Sequence, residues 1–341
     1  MKVDLPGTHG EAPSSACGYC HQPHNAARPV LWRDTPEEQG GPIETLCRQC
    51  HREGGEAAEH AVAGHGHPLG RMLDGRVNGP LPLYNTGGER LTHGKRGLLD
   101  CGTCHDPHRW SPDSTDAAYQ MQDEGGASNS FLRISAAPGS DLCRTCHRQQ
   151  ATVLRTGHDM RITAPEARNH SGGTVMESGV CGQCHLPHNA VSEEFLWARS
   201  LEPRSVPGEN RCTGCHSREG VARNHVPLKL SHPDEVLVWG RDIQLGSRNH
   251  HLPVIPVYGE DGREDLVGRI SCASCHDPHR WDPRRKAPGP GKPVEGNALN
   301  SFLRHALSAG IVCADCHGED ALFRYKYFHG LTSRRDYPLY R

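Results

Sequence analysis

The chain has 341 residues, of which 35% are hydrophobic and 5% aromatic, with 39 Gly and 26 Pro, too little apolar material for an ordinary globular core of this length. Its formal charge of −2 gives neither a nucleic-acid footprint nor a basic membrane patch, and no stretch approaches the roughly 18 consecutive apolar residues of a membrane span. Ordering such a chain costs more conformational entropy than its own side chains offset on burial, so disulfides, metals or a bulky apolar cofactor must complete the core, and the 16 cysteines choose among them.

In chain order, the opening MKVDLPGTHGEAPSSA lacks the apolar centre of a secretory signal and reads as the start of a mature form with an added or renumbered Met1. Four CxxCH motifs follow: Cys17, Cys20 and His21; Cys47, Cys50 and His51; Cys101, Cys104 and His105; Cys143, Cys146 and His147. The second half has four more: Cys181, Cys184 and His185; Cys212, Cys215 and His216; Cys272, Cys275 and His276; Cys313, Cys316 and His317. Every cysteine is used. Secondary structure is expected to be sparse, with a helical turn on each motif and short helices over Ser128 to Ala137 and Ser301 to Ala309. A turn between short strands is expected at Asp261-Gly262, and a loop over Pro283 to Gly296.

The spacing has a chemical reason. Two thiols on one turn add across the two vinyl groups of a single haem, and the next residue supplies a neutral imidazole to the iron. Zinc sites and thiol redox centres also use CxxC, but neither requires His after every second Cys. Eight motifs without exception predict eight covalently bound haem c groups, each with its iron.

The halves repeat one another. Cys17 to Cys47 and Cys101 to Cys143 are 30 and 42 residues apart, and Cys181 to Cys212 and Cys272 to Cys313 are 31 and 41. CGYCHQPHNA matches CGQCHLPHNA, CGTCHDPHRW matches CASCHDPHRW, and SNSFLR matches LNSFLR. Two tetrahaem units are expected, 1–163 and 164–341, each made of two doubled motifs in which the first reads CxxCHxPH.

Of 25 histidines, the 17 outside the motifs are about twice what eight sixth-ligand positions require, whereas there are only five Met, so bis-His, low-potential haems are expected. Recurrence selects a first set: His24, His108, His188 and His279 in the CHxPH motifs, where Pro holds the second imidazole away from its own haem, and His60, His158, His225 and His329 after the second motif of each pair. A second set recurs once per half: His67 with His232, and His9 with His170. Arg133 and Arg304 in the NSFLR segments are weighed as haem-propionate partners against solvated arginines.

The doubled arrangement resembles the paired-CxxCH multihaem c-type cytochromes over nearly the whole chain. The resemblance implies a mostly irregular chain with short helices and few strands, wrapped around a closely packed row of eight haems. It implies electron transfer in the periplasm or outside the cell, with redox proteins or extracellular acceptors as partners and no nucleic acid. Some relatives polymerise into cytochrome filaments, and a neighbouring molecule's haem ligated by His9 or His329 would make this chain such a subunit. The rival reading is a multihaem reductase of a nitrogen or sulfur oxyanion with one open iron, although no departure from CxxCH marks such a site.

Overall fold

The structure, a computed structural model, describes residues 16–26, 29–33, 41–75, 79–108, 131–201, 210–225, 237–239, 255–279, 302–304, 306–307 and 310–311. Seven CxxCH motifs fall within these, and each closes a single helical turn. The backbone N–H of His21, His51, His105, His147, His185, His216 and His276 donates to the carbonyl of the first Cys of its own motif at 2.9–3.0 Å. That i to i+4 bond brings both thiols and the imidazole onto one short stretch of surface.

Helices are correspondingly short: α1 Pro42–Arg48, α2 Cys101–Cys104, α3 Asp141–Cys146, α4 Met160–Thr163, α5 Val175–Gly182, α6 Asn210–Thr213 and α7 Cys272–Cys275. The first motif lies on a 3-10 turn, Ala16–Tyr19. Strands β1 Met72–Leu73 and β2 Gly97–Leu98 pair antiparallel. β3 Leu237–Trp239, β4 Val257–Tyr258, β5 Glu264–Asp265 and β6 Val267–Arg269 form an antiparallel sheet in the order β3-β6-β4-β5, with the expected Asp261-Gly262 turn between β4 and β5. β7 Ala306–Leu307 and β8 Gly310–Ile311 make a further antiparallel pair. The described chain is thus mostly irregular, as expected, and none of its helices is long and apolar enough to cross a membrane.

The helices expected over Ser128 to Ala137 and Ser301 to Ala309 are not formed in the described parts of those segments. Leu132 and Leu303 instead bridge antiparallel to His105 and His276. Asp106 N–H donates to the Phe131 carbonyl and Arg133 N–H to the Cys104 carbonyl, with the same pair of bonds at Asp277/Phe302 and Arg304/Cys275. Phe131 and Phe302 sit at φ 54° and 56°, which ends any helix there, and the backbone groups find partners on the CHDP segment instead. The expected loop over Pro283 to Gly296 lies outside the described residues.

The chain forms two compact units. One comprises Met1–Arg148 with Met176–Ala190, the other Gln149–Val175 with Val191–Arg341. In the first, Asp100 ties α1 to α2: its carboxylate accepts from Ile43 N–H at 3.1 Å and from Cys101 N–H at 2.7 Å while being 1% exposed. Burial pushes the Asp100 carboxyl up, against the opposing pull of those N–H donors. Asp100→Ala leaves both donors without their acceptor and should lower stability by about 2–4 kcal/mol, read as a fall in the thermal unfolding midpoint.

Gly179 interrupts α5 at φ 77°, where a Cβ would overlap the Ala136 carbonyl oxygen. This close approach lets Ser140 Oγ accept from Cys181 N–H at 2.9 Å, setting the fifth motif beside the fourth. In the second unit, Ile255 and Val257 form a small buried cluster with Val238, Leu303 and Cys275 around them, so even this apolar nucleus is built against a CxxCH cysteine.

Candidate cofactor site

Three motif imidazoles are oriented by a backbone carbonyl. Nδ1 of His21 lies 3.0 Å from the Val30 carbonyl, that of His51 3.3 Å from the His60 carbonyl, and that of His216 3.0 Å from the His225 carbonyl. A carbonyl oxygen only accepts, so Nδ1 is the donor there, and in the neutral ring Nε2 is the nitrogen left for an iron.

Second imidazoles face the motif histidines. The ring centroids of His21 and His108 are 6.0 Å apart, those of His67 and His147 6.1 Å, and those of His158 and His216 6.1 Å. His188 lies within electrostatic reach of His105. Burial, reinforced by the facing ring, lowers the pKa of His67 and of His188, and brings His158 down to about 4, with His216 the strongest of four neighbouring imidazoles. These rings are therefore neutral, and metal ligation requires neutral imidazole. Phe302 stands edge-on to His158 at 4.5 Å, and the buried His158 Nδ1 has no hydrogen-bond partner. Such an orphaned nitrogen opposite another imidazole fits a ligand waiting for a metal.

In the two CHDPH motifs the aspartate orients the second histidine. Asp106 Oδ1 lies 3.3 Å from His108 Nδ1, and Asp277 Oδ1 lies 3.3 Å from His279 Nδ1. The same oxygens accept from the His108 and His279 backbone N–H at 3.2 and 3.0 Å. This is the carboxylate–imidazole pairing that fixes a metal-binding histidine from behind.

The cysteines of successive motifs meet. Cys47 and Cys101 thiols hydrogen-bond one another, as do Cys143 and Cys181, and these contacts, followed by burial, push the Cys47 and Cys143 thiols well up. Cys20 lies within electrostatic reach of Cys50, and Cys104 of Cys146; burial, ahead of that neighbour, pushes Cys104 up to about 11. The Cys20, Cys47, Cys104 and Cys143 thiols are therefore protonated rather than thiolate, and none of the described cysteines is in a disulfide. Among the described residues no three His, Cys, Asp or Glu side chains gather as a tetrahedral zinc site requires.

The donor set is thus paired thiols, each pair followed by an imidazole, and second imidazoles facing several of those rings. The family model for the doubled CXXCH motif matches residues 9–56, which contain the first two motifs. The spacing of the cysteines and histidines is consistent with a multihaem c-type cytochrome. No curated protein and no solved structure matches the chain. Its CxxCH cysteines would hold haem c covalently and the following histidines would ligate the iron, which when bound supplies reversible one-electron chemistry.

The remaining candidate ligands are placed as follows. His24 is exposed in the bend after CHQP. His60 is exposed with its ring 3.8 Å from Glu59, His225 is exposed, and both meet a motif imidazole through their backbone carbonyls. The His279 carbonyl accepts from the Thr152 hydroxyl. His170, also exposed, donates its backbone N–H to the Ala198 carbonyl. Cys313, Cys316, His317, His329, His9 and His232 lie outside the described residues.

Two features of the site escaped sequence reasoning. Arg133, weighed as a propionate partner, donates to Asp106 Oδ2 at 2.6 Å, to the Gly102 carbonyl and to Tyr84 Oη. Arg304 makes the matching contacts with Asp277, the Ala273 carbonyl and Tyr258 Oη. Trp32 stacks on the His21 ring at 4.9 Å with planes 12° apart. The signal for Trp32 was present in the repeat, because Leu31-Trp32 and Leu196-Trp197 both follow CHxPHNA; both leucines also adopt positive φ, 60° and 50°.

Proposed function

We propose that this cytochrome is an electron conduit: eight haem c groups, one on each CxxCH motif, arranged as a row through which single electrons pass between redox partners. The reading is carried by the cysteine contacts. Sulfurs of motifs one and two, two and three, three and four, and four and five are neighbours in turn, so groups attached through them are neighbours too. A continuous row needs that succession; an isolated cofactor does not.

The facing imidazoles support six-coordinate, bis-His irons of low potential, with no site left for substrate. The protein's part is to orient the imidazoles, as the Nδ1 contacts to carbonyls and to Asp106 do. On this reading the repeat produces two tetrahaem units, 1–163 and 164–341. Haem attachment to CxxCH goes with export, so the chain works in the periplasm or outside the cell, donating to other redox proteins or to an extracellular acceptor. Polymerisation into a filament is the extension of the same wiring from one copy to the next.

The test is electron paramagnetic resonance and visible spectroscopy of the oxidised holoprotein, with and without cyanide. Eight low-spin haems per chain, indifferent to cyanide, are expected. A high-spin haem that binds cyanide overturns the conduit reading in favour of a reductase.

A further inference from the structure

Which imidazole completes which iron is not legible in the motifs, because 17 histidines compete for eight places. Ring geometry narrows the choice. An imidazole nitrogen bound to a first-row ion lies about 2.0–2.1 Å from it, so two rings on opposite sides of one iron have centroids roughly 6 Å apart. The three facing pairs stand at 6.0, 6.1 and 6.1 Å although their planes are inclined by 26°, 57° and 54°. Ring stacking couples distance to tilt, as the His21–Trp32 pair at 4.9 Å and 12° illustrates. A shared metal fixes the distance and leaves each ring free to turn about its metal–nitrogen axis. Constant separation at varied tilt is therefore the mark of a shared ion.

We propose a ligation map for four irons that crosses between motifs. Ring geometry assigns three: the iron held by His21 takes His108, that held by His147 takes His67, and that held by His216 takes His158. The repeat extends it to a fourth: as His108 lies in the next CHxPH motif after His21, so His188 does after His105, and the His105 iron takes His188. This rests on the multihaem reading above and deepens it. Two rules follow. On the His21 and His105 irons, the sixth ligand comes from downstream, from the second histidine of the next CHxPH motif: His108 for the first motif, His188 for the third. On the His147 and His216 irons, which belong to second motifs of pairs, it comes from upstream.

Backbone contacts hold the donors in these places. His67 N–H donates to the Pro187 carbonyl at 2.7 Å, so the segment carrying the His147 partner is pinned to the CHLPH motif carrying the His105 partner. The +9 recurrence of His60 and His225 has a separate cause: the residue there offers its carbonyl to the motif imidazole, and Val30 performs that task for His21 without a ring. Recurrence at this position therefore has a backbone cause of its own, beside any role of the rings.

The experiment uses the holoprotein with its eight haems counted by mass. His67→Ala, His108→Ala, His158→Ala and His188→Ala should each convert one haem in eight from low spin to high spin, and added imidazole should restore it, which separates ligand loss from misfolding. The pairing itself is read from double variants. His21→Ala and His108→Ala share an iron on this map, so the double variant should show one perturbed haem; two perturbed haems would overturn that pair. The His147→Ala/His67→Ala and His216→Ala/His158→Ala doubles are read the same way. Any of the four single variants that keeps all haems low-spin and leaves every potential unchanged also overturns its assignment. If the unsubstituted protein is low-spin throughout while these variants fail, only the map falls; an open haem in the unsubstituted protein would instead sink the conduit reading.

Discussion

Produced without haem attachment, the chain should not fold: its circular dichroism should show no cooperative thermal transition, whereas the holoprotein should show one. The apolar inventory explains why. With 35% hydrophobic residues, the described buried apolar side chains, such as Leu83, Tyr84, Val175 and Tyr258, are interspersed with buried polar ones such as Asp100, Thr103, Asp159, Gln183 and Ser274, and the cluster of Ile255 with Val257 is small, so the protein's own core is limited. Ordering each residue costs roughly 1–2 kcal/mol of backbone entropy, and one-turn helices and two-residue strands return little of that. The haem groups must supply the missing apolar mass.

They also act as cross-links. A haem attached at Cys17 and Cys20 and ligated by His21 and His108 joins segments far apart in sequence, restricting the unfolded chain as a disulfide across a long loop does. The expected loss on omitting haem is the whole of the folding stability, typically about 5–15 kcal/mol for a domain. A haem-free chain with a cooperative transition and native-like aromatic dichroism would show that the side chains suffice, and the composition argument would be wrong.

Much of this architecture was legible because a covalent motif is a local signal. CxxCH spacing required one helical turn, and seven described motifs make one. The repeat predicted matched environments, and they appear even in backbone detail: Asn25 and Asn189 share φ 57°, and Phe131 and Phe302 lie at 54° and 56°. The failures have a common origin in non-local pairing. NSFLR reads as helical in isolation, yet its backbone bonds go to the CHDP strand-like segment. The carbonyls that orient His21, His51 and His216 belong to Val30, His60 and His225, and a backbone acceptor leaves no trace in side-chain identity. Arg133 and Arg304 were recognised as matched, but their tyrosine partners, Tyr84 and Tyr258, lie outside any motif and upstream of the CxxCH they serve.

That arginine clamp carries the second large effect. Arg133 is 13% exposed and Asp106 16% exposed, so Arg133→Leu strips a largely buried carboxylate of its cation, removes the donor to Tyr84 Oη and leaves the Gly102 carbonyl with the Tyr84 hydroxyl alone. Removing one partner of such a pair costs about 3–5 kcal/mol, whereas Arg144→Leu, in a pair 43% and 59% exposed, should cost under about 1 kcal/mol. Arg304→Leu should fall between them, because its contact with Asp277 is 3.4 Å rather than 2.6 Å. Arg133→Lys keeps the charge but lacks the planar fork that reaches three acceptors, and should recover only part of the loss. Thermal midpoints of the four holoproteins, compared with the unsubstituted protein, give the ranking. Asp106 also holds His108 from behind, so releasing it from Arg133 should alter the low-spin signal of one haem, which a purely structural clamp would leave untouched. Equal midpoints for Arg133→Leu and Arg144→Leu would mean that the clamp contributes no more than a surface pair, and that the haems alone hold this region together.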